Sequence, residues 1–277
     1  MPILEARNVF KTYRRGGFFS SAEEVPVLHG VDLSIEQSEC VGLVGRSGSG
    51  KSTLGRILLG LEAPTRGEVR ILERPTTNGN GRLTVDQEQR RAVQVVFQDA
   101  IGSVNPRLTA RSIIDEPLRN FENLRGAALN ERVAELLEHV GLEPADANKH
   151  PSRFSGGQLQ RISIARALAA RPRCIILDEA VSSLDMLVQA RILDLLDDLR
   201  REDGVSYLFV THDLRLVRRF CDRAVAVEEG RLVNFDHVNF RDAAMPGSLG
   251  DLAEAMLPAT PPVPTANPTE KPSTEVN

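Results

Sequence analysis

An α/β fold is predicted, with a mainly parallel sheet as its core, an antiparallel β part at the N-terminal end and an inserted helical subdomain. Three observations carry this. Cys174–Asp178 and Val205–Val210 are near-continuous apolar runs, the pattern of strands in a sheet covered on both faces. Cys40–Val44 is a third such run, followed by a glycine-rich loop and then by Lys51–Leu61, which reads as a helix. The stretch from Gln98 to Pro151 lacks strand signals and looks mainly helical.

Taken in order, Val31–Ile35, Cys40–Val44 and Val69–Leu72 are expected strands, with Val93–Phe97 a further one. Asn78-Gly79-Asn80-Gly81 is a turn-rich surface loop. Asn130 is placed to cap a helix whose Val133, Leu136, Leu137 and Val140 follow the i, i+3, i+4, i+7 stripe, with Gly141 as its stop. Val188, Ile192, Leu195, Leu196 and Leu199 form a second stripe. Both stripes are read as core faces. Residues 1–257 are expected to form the folded unit, with the helical subdomain at about 98–170. Pro258–Asn277 holds six of the sixteen prolines and four threonines. It lacks the apolar residues to offset its ordering entropy, so a disordered tail is expected.

The 277 residues are 41% hydrophobic and 26% charged, with a formal net charge of −4. This is the balance of a globular chain with a real core. Mild acidity argues against a general nucleic-acid or anionic-membrane binder. No apolar run approaches the ~18–20 residues of a membrane helix, and Met1–Glu5 shows no signal-peptide pattern. Cys40, Cys174 and Cys221 are odd in number and far apart in sequence, as in a reduced cytosolic chain rather than a disulfide or zinc framework. A membrane role is therefore expected to come through partners.

Gly45-Arg46-Ser47-Gly48-Ser49-Gly50-Lys51-Ser52 fits G-x-x-x-x-G-K-[ST] between a strand and a helix, the context of a phosphate loop. Glycines let backbone N–H groups turn inward and form an anion nest at a helix N-terminus. Lys51 is expected to reach the β- and γ-phosphates of a nucleotide, and Ser52 to offer its hydroxyl to Mg²⁺. The nucleotide-binding run is extended to Thr53. Cys174-Ile175-Ile176-Leu177-Asp178-Glu179 is an apolar strand ending in two carboxylates. Beside a phosphate loop, Asp178 suits Mg²⁺ and Glu179 suits a general base for the attacking water.

Phe154-Ser155-Gly156-Gly157-Gln158 precedes a second helix and offers a second anion-binding helix N-terminus. One phosphate loop does not require two. With these motifs in this order, the chain from about Leu4 to Phe235 resembles an ATP-binding-cassette ATPase, with Phe154 where the family signature usually has Leu. The resemblance implies ATP and Mg²⁺ as ligands and a head-to-tail pair of cassettes. Each ATP would lie between one phosphate loop and the other chain's Ser155, Gly156, Gly157 and Gln158. Position by position, Tyr13 resembles the aromatic that stacks on adenine, with Phe18 or Phe19 as competitors. Gln98 resembles the glutamine that reaches Mg²⁺ and water. His212 resembles the switch histidine at the γ-phosphate, and Asp185, in Ser182-Ser183-Leu184-Asp185, the aspartate that communicates across the dimer. His29, His139, His150 and His237 are scattered and suggest no metal site.

Within that family, 104 positions separate Lys51 from Ser155, which leaves no room for the long coiled coil of DNA-repair and chromosome-organising types. Three cysteines are too few for the zinc modules of excision-repair types, and translation-factor types carry two cassettes in one chain where this sequence shows one. A single cassette without membrane helices resembles the ATPase subunit of an importer. Phe97 through Arg107, with Asn105-Pro106-Arg107, is similar to the peptide/nickel uptake group. Asp178-Glu179-Ala180-Val181-Ser182 and Thr211 through Val217, followed by Phe220-Cys221, resemble its nickel-importing branch. That implies a second homologous ATPase, two membrane permease subunits and an extracytoplasmic solute-binding protein, with this chain at the cytoplasmic face of the bacterial inner membrane and no nucleic acid. Peptides and metal–chelator complexes remain open as cargo. A non-hydrolytic regulatory subunit and a small-molecule kinase are the alternatives from other classes. Glu179 and His212 speak against the first, and Ser155–Gln158 and His212 against the second.

Overall fold

The structure is a computed structural model, and it describes residues 1–15, 23–182 and 184–235. Phe18, Phe19, Ser183, His237 and the Pro258–Asn277 stretch lie outside the described residues.

Two sheets share one layer of apolar side chains. The first is antiparallel. Its strands are β1 (Leu4–Arg15), β2 (Glu23–Ile35), β4 (Arg66–Ile71) and β5 (Arg74–Pro75), in the order β2-β1-β4-β5. The second contains β3 (Cys40–Val44), β6 (Val93–Phe97), β7 (Cys174–Asp178), β8 (Ser206–Val210), β9 (Arg223–Glu228) and β10 (Arg231–Phe235). Its order is β10-β9-β3-β8-β7-β6, parallel throughout except for the β9–β10 hairpin.

Alternation along each parallel strand divides its side chains between two cores, because successive residues point to opposite faces. Val41, Leu43, Ile176 and Leu208 face the antiparallel sheet and α1 (Lys51–Leu58). Cys40, Val44, Ile175, Leu177, Tyr207 and Phe209 face the helices on the other side. These helices include α6 (Met186–Asp203) and α7 (Leu214–Phe220). Phe220 packs its ring 5.4 Å from both Tyr207 and Phe209. Burial on both faces is why these strands read as unbroken apolar runs.

Between β6 and β7 lie α3 (Ala110–Phe121), α4 (Gly126–His139), α5 (Gly156–Ala169) and two short 3-10 turns, with no strand among the described residues. A short α2 (Gln87–Ala92) precedes β6, fixed by a capping box between Asp86 and Gln89.

Several expected boundaries need correction. Helix α1 ends at Leu58 rather than Leu61, because Gly60 turns the chain at φ 65°. Asn130 lies inside α4, which begins at Gly126, and its side chain accepts a hydrogen bond from Arg111 on α3. A side chain that can cap can equally serve inside a helix when a neighbouring helix supplies the partner. Strand β2 starts well before Val31, and β4 runs from Arg66 to Ile71. The cysteines far apart in sequence are not all far apart in space: the Cys40 and Cys221 sulfurs lie 3.4 Å apart, both as free thiols.

The close approach of α7 to β3 depends on Gly42. A Cβ there would lie 2.8 Å from a Val217 methyl and 3.3 Å from the Cys221 sulfur. Gly42→Val is expected to destabilise the chain by about 1–3 kcal/mol through overpacking, read as a lower urea midpoint. An unchanged midpoint would contradict this packing.

Candidate functional site

Parallel strands deliver their C-terminal ends to one edge of the sheet. At this edge β3 runs into the Gly45–Ser52 loop, β7 ends at Asp178 and leads to Glu179, β8 leads to Thr211 and His212, and β6 leads to Gln98. A cleft of about 470 Å³ opens there, lined by Val27, most of the run from Gly45 to Thr53, Asp178, Glu179 and His212. A larger cleft, about 560 Å³, lies at the opposite strand ends between Arg91, His139, Arg171 and Asp203. It has no anion-binding loop, so the chemistry belongs to the smaller cleft.

The loop is built for an anion. Gly50 caps α1 in the left-handed region at φ 112°, with no side-chain cap and no acidic residue in the first turn of the helix. The first N–H groups of α1 are thus left without a built-in partner. Gly48, at φ 79°, has open space where a side chain would stand. Ser49 Oγ is buried without a hydrogen-bond partner. Ser52 is exposed while Thr53 is buried.

Lys51 is buried, and its Nζ donates to the carbonyls of Gly45 (2.7 Å) and Arg46 (2.9 Å). Burial lowers its pKa, against the opposing fields of Glu179 and Asp178. Asp178 is shifted upward, by burial first and by the neighbouring Glu179 second, with Lys51 and Arg56 pulling the other way. Two carboxylates and one ammonium therefore share a partly desolvated site. Ser52 and Asp178 offer oxygen donors of the kind that suit Mg²⁺, and phosphate oxygens would complete such a set.

Glu179 is held at φ 49°, a strained setting for a residue with a side chain. Its N–H donates to the Val210 carbonyl (2.9 Å), and its own carbonyl accepts from Ser182 N–H (3.1 Å). These bonds aim its carboxylate into the cleft, where Oε1 lies 3.5 Å from His212 Nδ1. The arrangement can bind a polyphosphate at the loop and remove a proton from a nearby water at Glu179.

The remaining sequence-derived candidates lie outside that cleft lining. Ser155 caps α5: its Oγ accepts from Gln158 N–H (3.3 Å), and Gln158 Oε1 accepts from Ser155 N–H (2.9 Å). The Ser155 hydroxyl proton and the N–H groups of Gly156 and Gly157 stay available. Gln98 is exposed beyond β6, whose Phe97 pairs with Asp178. Asp185 caps α6 by accepting from Leu187 and Val188 N–H (3.1 and 3.0 Å). Tyr13, on β1, donates its hydroxyl to Glu62. Val27 on the cleft wall and the Glu62 cluster were not foreseen. Val27 sits in a short apolar run, Val25–Leu28, that Pro26 interrupts, and Glu62 follows a helix as any solvated carboxylate might.

The sequence profile of the ABC transporter family matches residues 28–182. The nickel import ATP-binding protein NikE of Rhodospirillum rubrum is 46% identical over 260 residues, covering 94% of this chain and 93% of that protein. Its namesake in Brucella suis is also 46% identical, over 261 residues, covering 94% and 97%. Among solved structures, a dimer of the ATP-binding cassette MJ0796 in a post-hydrolysis state, bound to ADP and Pi, is similar with a TM-score of 0.72 at 35% identity. That likeness covers 84% of this chain and 98% of the other.

Asp178→Asn is expected to raise the melting temperature of the ligand-free chain by about 1–3 °C, since it removes a desolvated carboxylate beside Glu179. A folded-state pKa raised above the ordinary ~3.9 means the contribution is fully favourable below that value and is lost as pH rises through the folded pKa. The gap between variant and wild type should be widest at pH 7 and close toward pH 4. A gap that does not change with pH would contradict the assignment.

Proposed function

The chain belongs to the ABC transporter family, and from that membership we propose that it is the ATPase subunit that energises a nickel importer. It is an ATP-binding cassette whose hydrolysis is coupled to transport. The observation that carries this reading is the gathering of Lys51, Asp178, Glu179 and His212 around one anion-binding loop. Nickel as cargo is supported by the names of relatives 41–46% identical across 94% of the chain.

In this reading the phosphate loop and Lys51 hold the triphosphate, exchanging two carbonyl partners of Lys51 for phosphate oxygens. Thr53 backs the loop from its buried side. Ser52, Asp178 and Gln98 would hold Mg²⁺, which supplies charge neutralisation between phosphate oxygens. Glu179 takes the proton from water, and His212 stays within reach of both Glu179 and the terminal phosphate. Tyr13 stacks on the base. Ser155, Gly156, Gly157 and Gln158 belong to a second site, completed by the phosphate loop of a partner ATPase, with Asp185 at the seam between chains.

No helix among the described residues is long and apolar enough to cross a membrane. Contact with the inner membrane is assigned to two permease subunits, fed by an extracytoplasmic solute-binding protein. The run from Gln98 to Arg107 exposes Phe97, Ile101 and Leu108 at its borders and interior, a surface suited to a permease contact. It is tied to the α5 helix by Gln160 Nε2 donating to the Phe97 carbonyl (3.3 Å) and by Arg166 Nη1 donating to the Ser103 carbonyl (3.4 Å). Movement of α5 at the nucleotide is thereby passed to that surface.

Glu179→Gln separates binding from chemistry. Hydrolysis should fall by ~10²–10⁴-fold while ATP binding persists. With the equivalent change in the partner ATPase, an ATP-dependent dimer should accumulate on sizing chromatography. Near-normal turnover with no ATP-dependent association would assign the base elsewhere. For the cargo, radiolabelled nickel uptake should fall to background in cells lacking this chain, while dipeptide uptake is retained. The reverse pattern would make it a peptide importer subunit.

A further inference from the structure

Tyr13 is fixed on more sides than a surface tyrosine needs. Its hydroxyl donates to Glu62 Oε2 at 2.7 Å, and Arg56 Nη2 donates to the same hydroxyl at 3.3 Å. Lys11 Nζ sits over the ring, 5.0 Å from its centroid, within cation–π range. Lys11 is itself held by the Ala63 carbonyl (2.8 Å) and by Glu62 Oε2 (3.4 Å). The other oxygen of Glu62 accepts from Arg56 Nε at 2.6 Å. Arg56 belongs to α1, and its Nη2 also donates to Thr53 Oγ1 at 3.3 Å. Thr53 lines the phosphate cleft.

Glu62 is thus the hub of a cluster drawn from β1, from α1 and from the segment after α1. Burial works against its charge, yet the hydrogen bonds from Tyr13, Arg56 and Lys11 outweigh this and hold it below the ordinary carboxylate range. Glu62 and Lys11 are both mostly covered, at 27% and 15% side-chain exposure. A simple solvated ion pair would not be.

We propose that Glu62 and Lys11 are positioning residues that set Tyr13 as a one-faced platform for a purine base and fix that platform relative to the phosphate loop. The proposal rests on Tyr13 as the base-stacking residue. Lys11 covers one ring face, so the base is assigned to the other. A cation behind the ring draws its π-electron density away from the free face, which favours an electron-rich purine there. The Glu62–Arg56–Thr53 bonds tie the platform to the helix that opens at the phosphate loop. Base and triphosphate are therefore met at a set separation, and less ordering is left to the moment of binding.

The test uses the full chain and two probes, ATP and tripolyphosphate, each with Mg²⁺. The chain has two tyrosines and no tryptophan, and Tyr207 is fully buried, so a change in tyrosine emission on adding ATP reports Tyr13. Glu62→Ala should weaken ATP binding about tenfold or more, as expected for loss of a charged hydrogen-bond hub, and leave tripolyphosphate binding within about twofold. Lys11→Met should weaken ATP by a smaller factor in the same base-dependent way. Glu62→Gln, which keeps an acceptor for the Tyr13 hydroxyl, should recover part of the loss and carries the test if Glu62→Ala fails to fold. Tyr13→Ala separates the two claims. If it loses base-dependent affinity and the Glu62 and Lys11 variants do not, the positioning proposal is wrong and the platform stands. If Tyr13→Ala leaves ATP and tripolyphosphate affinities in their wild-type ratio, and ATP leaves tyrosine emission unaltered, the platform reading itself falls, and the proposal with it.

Discussion

One buried ammonium holds this site in balance. Lys51 lies between the carbonyls of its own loop and the field of Asp178 and Glu179. Without it, two adjacent carboxylates on a buried strand end would repel each other and any phosphate brought near them. With it, the cleft can accept a polyphosphate beside the two carboxylates. The free N–H groups at the start of α1 act in the same direction. Burial first, and Glu179 second, hold Asp178 above the ordinary carboxylate range, and Lys51 opposes them only in part. A site left in this state gains most from binding a group that supplies positive charge beside Asp178 and negative charge beside the loop.

The parallel sheet makes this arrangement possible by geometry alone. β3, β8, β7 and β6 run side by side, so residues distant in sequence emerge along one edge. The α5 helix starts elsewhere, and its Ser155 cap does not line the cleft of its own chain. Two anion-binding helix starts that do not converge internally fit the proposed pairing with another cassette. The hydrogen bonds from Gln160 to Phe97 and from Arg166 to Ser103 connect the second start to the exposed run after β6. In the proposed assembly, that helix would link nucleotide and membrane partner.

Much of this was legible in the sequence because its signals are local. The strand–loop–helix around Gly45–Ser52, the apolar strand into Asp178-Glu179 and the Ser155–Gln158 cap each depend on neighbours in the chain. The strand Cys174–Asp178 appeared with the expected bounds. What was not legible depends on partners far away in sequence. Asn130 serves Arg111 rather than a helix start. Cys40 and Cys221 meet because β3 and α7 pack together around Gly42. Glu62 acquires its role from Tyr13 and Lys11, about fifty positions earlier. The N-terminal half of β2 was missed because Pro26 interrupts its short apolar run and two exposed glutamates precede it; pairing with β1 holds it in the sheet.

The central claim is that this chain carries two half-sites and hydrolyses ATP only when another cassette completes them. The most direct measurement is phosphate release per mole of this chain as its concentration is varied, first alone and then with a homologous ATPase added. ATP occupancy, read in parallel, should be reached at every concentration. The rate per chain should be low when the chain is dilute and alone, and should rise as a second cassette becomes available to supply Ser155 and the amides of Gly156 and Gly157. A rate per chain that stays constant with concentration and ignores the added cassette would contradict the account.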